Sequence, residues 1–180
     1  MFRELVMKTI IVMLMLGLVV SSGARAGDFT SGDWVWSVDD PEMLYAATEN
    51  SAGQTLVQLC DATEGSCFYA VGFDTSCDEG DSYPALVNTD DGAYNIEFLC
   101  GGKLDAGGNL MLVKNFDQID GMIRKARRIG FALPMQGDEF KAVRFSLKGA
   151  VPALDAMRKF ASKGDSKTPD VRNAKDSEVF

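Results

Sequence analysis

The chain has 180 residues, of which 46% are hydrophobic and 9% aromatic, and it contains no histidine. Its 18 Lys and Arg residues against 26 Asp and Glu residues give a formal net charge of −8. This composition is typical of a packed globular protein and excludes a fully disordered chain. This net negative charge repels nucleic acid and anionic lipid, so it disfavours a nucleic-acid-binding function.

The first 26 residues have the order of a secretory signal peptide. Lys8 precedes an apolar stretch from Thr9 to Val20, and Ala24-Arg25-Ala26 then places small side chains at the −3 and −1 positions of a cleavage site. The apolar stretch is shorter than the roughly 20 residues that a helix needs to span a bilayer. We therefore predict cleavage between Ala26 and Gly27, and a periplasmic or secreted protein without a stable membrane span.

Seven short segments with strand character follow the predicted signal peptide. They are Trp34–Val38, Leu44–Thr48, Thr55–Cys60, Cys67–Phe73, Tyr83–Val87, Ala93–Cys100 and Leu110–Lys114. Turn residues rich in Gly, Asp and Asn separate them, as in Asn88–Gly92 and Gly101–Gly108. Short strands at this regular spacing predict an antiparallel sandwich or barrel, of which we favour a β-sandwich.

Helical patterns occur only late in the chain. Apolar residues recur at helical spacing from Phe116 to Ala126, which predicts a helix from about Asp117 to Arg128 that Gly130 ends. Strand character returns in two segments, Phe131–Leu133 and Phe140–Leu147. A second helix follows, with Val151, Leu154, Met157, Arg158 and Ala161 spaced as one face. We therefore predict a single β-rich domain over residues 27–161, followed by a disordered polar tail over residues 162–180.

The chain contains four cysteines, Cys60, Cys67, Cys77 and Cys100. An even number of cysteines in an exported protein predicts two disulfides. The turn-rich segment between Cys60 and Cys67 predicts a hairpin that brings these two together, which leaves Cys77 to pair with Cys100. A zinc site is disfavoured because there is no C-x-x-C spacing and no histidine.

The inventory of reactive side chains disfavours an enzyme. Without histidine, the commonest general base is missing, and Ser-His-Asp and Cys-His sites are excluded. Carboxylates are plentiful, but no pair is distinguished as a general acid and base. We therefore predict a non-enzymatic protein with no catalytic residues and no cofactor, and keep a carboxylate-based enzyme as a less favoured alternative.

Acidic residues crowd around Cys77. They are Asp74, Asp78, Glu79 and Asp81, and we expect Asp90 and Asp91 across the same sheet edge. Oxygen ligands grouped in this way suit calcium, but their spacing is not that of an EF-hand loop. We expect a solvated loop tethered by a disulfide, and no tight metal site.

Two groups of residues are candidates for partner binding. The first is the basic cluster Arg124, Lys125, Arg127 and Arg128, and the second is Trp34 with Trp36. On a helix, Arg124, Arg127 and Arg128 would share a face that could contact an anionic partner. Basic residues are also favourable at a helix C-terminus without any partner, and we favour this second interpretation. The two tryptophans point to the same face of a strand. We expect them in the core, whereas an exposed pair would suit a sugar ring.

Several segments resemble a known family. They are Gly32-Asp33-Trp34, the cysteines of the middle third, Ile129–Pro134 after a helix, and Phe145–Gly149 with Ala153-Leu154 following. In these features residues 32–160 resemble the invasion-associated locus B family of small bacterial periplasmic proteins. The resemblance implies an exported, non-catalytic, β-rich protein associated with the cell envelope or with host contact.

We therefore predict a periplasmic, non-enzymatic interaction protein. It would act as an accessory factor or as an inhibitor that binds another exported or envelope protein. The alternative is a periplasmic module that binds a small molecule or glycan through Trp34, Trp36 and the acidic loop. A concave, exposed Trp face would favour the ligand, and a flat apolar patch beside the basic cluster would favour a protein partner.

Overall fold

A computed structural model describes residues 29–40, 42–103, 107–135, 137 and 139–161. The predicted signal peptide and the predicted polar tail lie outside the described residues, so the domain boundaries stay predictions. No helix in the described part of the chain is long and apolar enough to cross a membrane.

Ten strands of the described chain form one sheet in which every neighbouring pair is antiparallel. They are β1 Phe29–Ser31, β2 Trp34–Ser37, β3 Met43–Glu49, β4 Thr55–Asp61, β5 Cys67–Phe73, β6 Ser82–Thr89, β7 Gly92–Lys103, β8 Asn109–Val113, β9 Arg128–Pro134 and β10 Phe140–Ser146. Their order across the sheet is β1-β2-β3-β4-β5-β8-β7-β6-β9-β10. The predicted antiparallel β fold is confirmed, and β1 is a strand that the sequence pattern did not predict.

One apolar core joins the strands from both ends of the sheet. Buried and partly exposed residues alternate along β3 and β4, as expected for strands with one face against the core. A row of four phenylalanine rings crosses the inner face from β5 to β10, with neighbouring centroids 5.6–6.3 Å apart. The row consists of Phe73, Phe98, Phe131 and Phe145. These tilted and edge-on contacts are favourable ring geometries and bury a large apolar area.

Two helices, α1 Phe116–Lys125 and α2 Ala150–Ala161, pack on this core. Helix α1 begins after Asn115, whose side chain accepts a hydrogen bond from the Gln118 N–H at 3.1 Å. It buries Ile119 and Ile123. Helix α2 contacts β1 to β4 through a buried face made of Ala150, Ala153, Leu154, Met157 and Ala161.

Helix α1 ends three residues earlier than predicted. Ala126 is already extended, with φ −83° and ψ 162°, although its N–H still bonds to the Met122 carbonyl. Arg128 begins β9, which pairs with β6 on one side and β10 on the other. These two ladders require an extended backbone from Arg128 onward. Long-range pairing therefore overrides the local helical pattern.

Both predicted disulfides are confirmed. Cys60 and Cys67 lie directly opposite each other on β4 and β5, with Cα atoms 4.0 Å apart. Cys77 lies in the loop after β5 and is bonded to Cys100 in β7, with Cα atoms 6.1 Å apart. The first bond closes a hairpin, and the second attaches the acidic loop to a central strand.

The two ends of the sheet meet in a clasp formed by residues 31–34 and 146–149. The Asp33 N–H donates to the Lys148 carbonyl at 2.9 Å, and the Trp34 Nε1–H donates to the Ser146 carbonyl at 3.1 Å. The Ser146 hydroxyl donates to the Asp33 carboxylate at 2.6 Å. Two of the segments that carry the family resemblance, Gly32-Asp33-Trp34 and Phe145–Gly149, therefore bond to each other. Their contact holds the two ends of the sheet together.

Candidate functional site

A polar network connects both helices to the sheet. Its members are Gln58 in β4, Tyr69 in β5, Asp120 and Arg124 in α1, and Asp155 and Arg158 in α2. The Asp120 carboxylate accepts hydrogen bonds from the Tyr69 hydroxyl at 2.7 Å and from Arg158 Nη2 at 2.5 Å. It also accepts from Arg124 Nε at 2.8 Å. One carboxylate therefore holds groups from three separate elements.

Arg158 occupies the centre of the network. Its Nε donates to the Gln58 side-chain oxygen at 2.7 Å, and its guanidinium lies over the Phe116 ring, 5.3 Å from the centroid. The Tyr69 ring stacks on the same Phe116 ring, with centroids 5.3 Å apart. The cation is therefore both hydrogen-bonded and placed against an aromatic face, where the ring quadrupole attracts it.

The network lowers the pKa of the Asp120 carboxyl and raises the pKa of the Tyr69 hydroxyl. Burial raises the pKa of the Asp120 carboxyl, but the hydrogen bonds from Arg158, Tyr69 and Arg124 outweigh it and hold the pKa below the ordinary 3.8. Burial, with the nearby Asp120 charge, raises the pKa of the Tyr69 hydroxyl well above 10.0. At neutral pH Asp120 is therefore an ionised carboxylate that pairs with two arginines and accepts a hydrogen bond from a neutral phenol.

The network was not predicted from the sequence. Asp120 and Arg158 are 38 positions apart, and Tyr69 is 51 positions from Asp120. Two local features could have indicated it: the Asp120–Arg124 pair has the i,i+4 spacing of a helical ion pair, and Arg158 shares a helix face with apolar residues.

The structure separates the roles of the two candidate tryptophans. Trp34 is fully buried and belongs to the core, as expected. Its N–H is used in the clasp, so its ring presents no surface to a partner. Trp36 is only partly buried and packs against the edge of the core.

Trp36 forms an exposed aromatic patch with Phe29 and Phe160. Phe29 stacks on Trp36 with centroids 4.4 Å apart and an interplanar angle of 21°, and Phe160 approaches Trp36 at 6.1 Å. Phe29 is 48% exposed and Phe160 55% exposed. The sequence analysis missed both phenylalanines. The sequence did contain one indication of the patch: Phe160 is a large apolar residue outside the predicted inner face of the last helix.

The basic cluster does not form one helical face, which corrects the prediction. Arg124 belongs to α1 and pairs with Asp120 and Asp155, each at 2.8 Å. Arg127 follows the helix and lies 3.5 Å from the Asp90 carboxylate, with 88% of its side chain exposed. Arg128 starts β9. The four residues, Arg124, Lys125, Arg127 and Arg128, thus point into different surroundings, and their role in partner binding stays a prediction.

The acidic loop is arranged differently from the prediction in one respect. Asp90 and Asp91 do not lie across the sheet edge near Cys77: they lie in the β6–β7 turn, at the opposite end of β7 from Cys100, where Asp90 accepts a hydrogen bond from the Arg127 N–H at 2.7 Å. Asp74 lies 3.6 Å from Lys141. Within the described ranges no three acidic, His or Cys residues are grouped so that they could hold a metal ion. The absence of a tight calcium site in the loop stays a prediction.

Comparison with known proteins relates the chain to others through its fold. No protein-family model and no curated protein sequence matches it. A search of solved structures finds the crystal structure of invasion associated protein B from Bartonella henselae, with a TM-score of 0.56 and 15% sequence identity. The similarity covers 76% of this chain and 99% of that one. The fold implied by the family resemblance is therefore confirmed: the chain shares the fold of invasion associated protein B.

Proposed function

We propose that the chain is an exported, non-enzymatic interaction protein that binds another envelope or exported protein through the aromatic patch. A protein with the same fold is described as invasion associated, which supports a role in the envelope or in host contact. Two disulfides support an oxidising compartment. Within such a role the protein would act as an accessory factor or an inhibitor of its partner.

The observation that carries this proposal is the exposure of the patch. Phe29 and Phe160 are about half exposed and contact the same tryptophan, so three aromatic rings form one surface. Aromatic side chains are enriched at the centres of protein interfaces, where they bury a large area at a small entropic cost. The patch lies beside β1, the strand at one end of the sheet, where the backbone edge offers further hydrogen-bonding groups.

The geometry favours a protein partner over a sugar. A sugar platform needs a free ring face, but Phe29 stacks on one face of Trp36. Trp34, the other half of the sugar-binding alternative, is buried. The glycan-binding alternative therefore rests on Trp36 and the acidic loop.

The export proposal predicts the N-terminal residue of the mature protein. If the leader is removed as its sequence indicates, the mature protein begins at Gly27, two residues before β1 and the aromatic patch. Mass spectrometry of the N-terminal peptide of the protein recovered from the periplasm or the medium tests this. An uncleaved N-terminus there, at Met1 or at Met7 if translation starts at that second methionine, would contradict the export proposal.

The patch is tested by capture from an envelope extract with matched variants. The double substitution Phe29→Ser and Phe160→Ser should reduce capture of the partner at least about tenfold, because it removes two exposed aromatic contacts. The thermal unfolding midpoint should change little. Leu86→Ser is the control, since Leu86 is 44% exposed on β6, away from the patch. Each captured protein is then purified, and its affinity for wild type and variants is measured directly.

The outcomes distinguish the candidate surfaces. Equal affinity of wild type and the double Phe variant would contradict the patch as the binding surface. Loss of affinity in an Arg127→Gln, Arg128→Gln double variant would move the site to the basic cluster. Binding of wild type to a glycan array that Trp36→Ala abolishes would favour the glycan alternative.

A further inference from the structure

A cleft of about 660 Å³ lies between the loop after β5 and the β9–β10 hairpin. Residues 74–78 form one wall, and residues 133–135 with 139–141 form the other, with Tyr83 also lining the space. The volume is within the range of small-molecule sites, about 300–1,000 Å³. The cleft is built from different elements than the aromatic patch, so the two sites can be tested separately.

The loop wall is held in place by covalent and backbone bonds. Besides the Cys77–Cys100 disulfide, the Gly80 N–H donates to the Cys100 carbonyl at 2.9 Å and the Asn109 N–H donates to the Thr75 carbonyl at 3.0 Å. The Tyr83 hydroxyl accepts from the Asp78 N–H at 3.1 Å. A wall fixed in this way needs little ordering when a ligand binds, which lowers the entropic cost of binding.

The lining combines exposed apolar side chains with an excess of negative charge. Phe140 is 65% exposed and Met135 is 37% exposed, although both border the cleft. The lining includes three carboxylates, Asp74, Asp78 and Glu139, against one ammonium, Lys141. That ammonium is 3.6 Å from the Asp74 carboxylate, so the pair is loose and the other two carboxylates lack a cation among the described lining residues.

We propose that this cleft binds an organic cation, namely an ammonium or guanidinium group carried on an apolar stem. The carboxylates complement the charge, while Phe140 and Met135 contact the stem, and the phenylalanine ring also attracts a cation over its face. Lys141 competes with the ligand for Asp74. The same chemistry is offered by a free polyamine and by a lysine side chain of a basic peptide.

Calorimetric titration of the purified protein at low salt tests the proposal and separates the two sources. The probes are spermidine and a capped tetralysine peptide. We expect saturable binding of at least one probe with a dissociation constant below about 1 mM. Tighter binding of spermidine would identify the ligand as a free polyamine. Tighter binding of the peptide would identify it as a basic segment of a partner protein. No saturable heat with either probe overturns the proposal.

Charge variants decide whether the binding belongs to the cleft. Asp74→Asn and Glu139→Gln should each weaken binding about two- to fivefold, and Lys141→Gln should strengthen it by a similar factor, because the competing cation is gone. Phe140→Ser should weaken binding without changing net charge. The control is Asp91→Asn, which removes the same charge in the β6–β7 turn. If Asp91→Asn weakens binding as much as Glu139→Gln, the attraction is general to the acidic surface and the cleft proposal is wrong. Equal unfolding midpoints confirm that each variant is folded.

Discussion

Replacing Gly149 with alanine should lower the free energy of unfolding by about 3–5 kcal/mol, the largest effect of any single substitution considered. Gly149 has a φ of +87°, a conformation that costs a residue with a Cβ atom free energy. An added Cβ would also overlap the Ser31 backbone and lie 2.8 Å from the Gly32 nitrogen. Both neighbours are main-chain atoms of the clasp, so the overlap is relieved only if the two ends of the sheet separate.

Gly53→Ala separates the two causes of this loss. Gly53 has a similar φ of +77°, but nothing lies within 4 Å of an added Cβ. It should therefore show only the conformational cost, about 1–2 kcal/mol. Urea unfolding followed by tryptophan fluorescence measures both variants, and Trp34 reports directly on the clasp. Equal losses in the two variants would mean that the segments at residues 31–32 and 148–149 are not in close contact.

The second large effect is expected at the centre of the polar network. Asp120→Asn should lower the free energy of unfolding by about 2–4 kcal/mol, because two partly buried arginines lose their common carboxylate. Asp155→Asn is the matched control. Its carboxylate pairs with Arg124 at 2.8 Å but is 48% exposed, so the loss should be below about 1 kcal/mol. Equal effects of the two substitutions in urea unfolding would show that the network does not hold the helices to the sheet.

The Asp120 contribution should also depend on pH. The folded-state pKa lies below the ordinary 3.8, so the unfolded chain takes up the proton first as the pH falls. The stabilisation is therefore complete above the unfolded pKa and is lost as the pH falls through the folded pKa. The difference in stability between wild type and Asp120→Asn should accordingly shrink between about pH 5 and pH 2. A difference that stays constant over this range would assign the loss to packing instead of charge.

Local features of the sequence were sufficient to predict most of the secondary structure. Short apolar or alternating segments bounded by Gly, Asp and Asn turns predicted nine of the ten described strands. The turn between Cys60 and Cys67 predicted the first disulfide, and the second followed because only Cys77 and Cys100 remained. These predictions succeeded because the interactions involved are short-range or restricted to few partners.

The candidate sites depended on contacts that no local pattern reveals. Phe29 and Phe160 meet at Trp36 although they lie at opposite ends of the described chain, and Arg158 reaches Gln58 across 100 positions. The cleft likewise joins a loop after β5 to a hairpin near the end of the domain.

The strand pattern and the disulfide pairing could therefore be predicted from side-chain patterns, turn residues and cysteine count, whereas the family resemblance rests on short segments such as Gly32-Asp33-Trp34. In contrast, the end of α1, the exposure of the aromatic rings and the choice of the carboxylate that pairs with the arginines depend on contacts between distant segments. The physical reason is that β-ladders and ion pairs between distant segments outweigh local preferences of a few tenths of a kcal/mol per residue, as at Arg128.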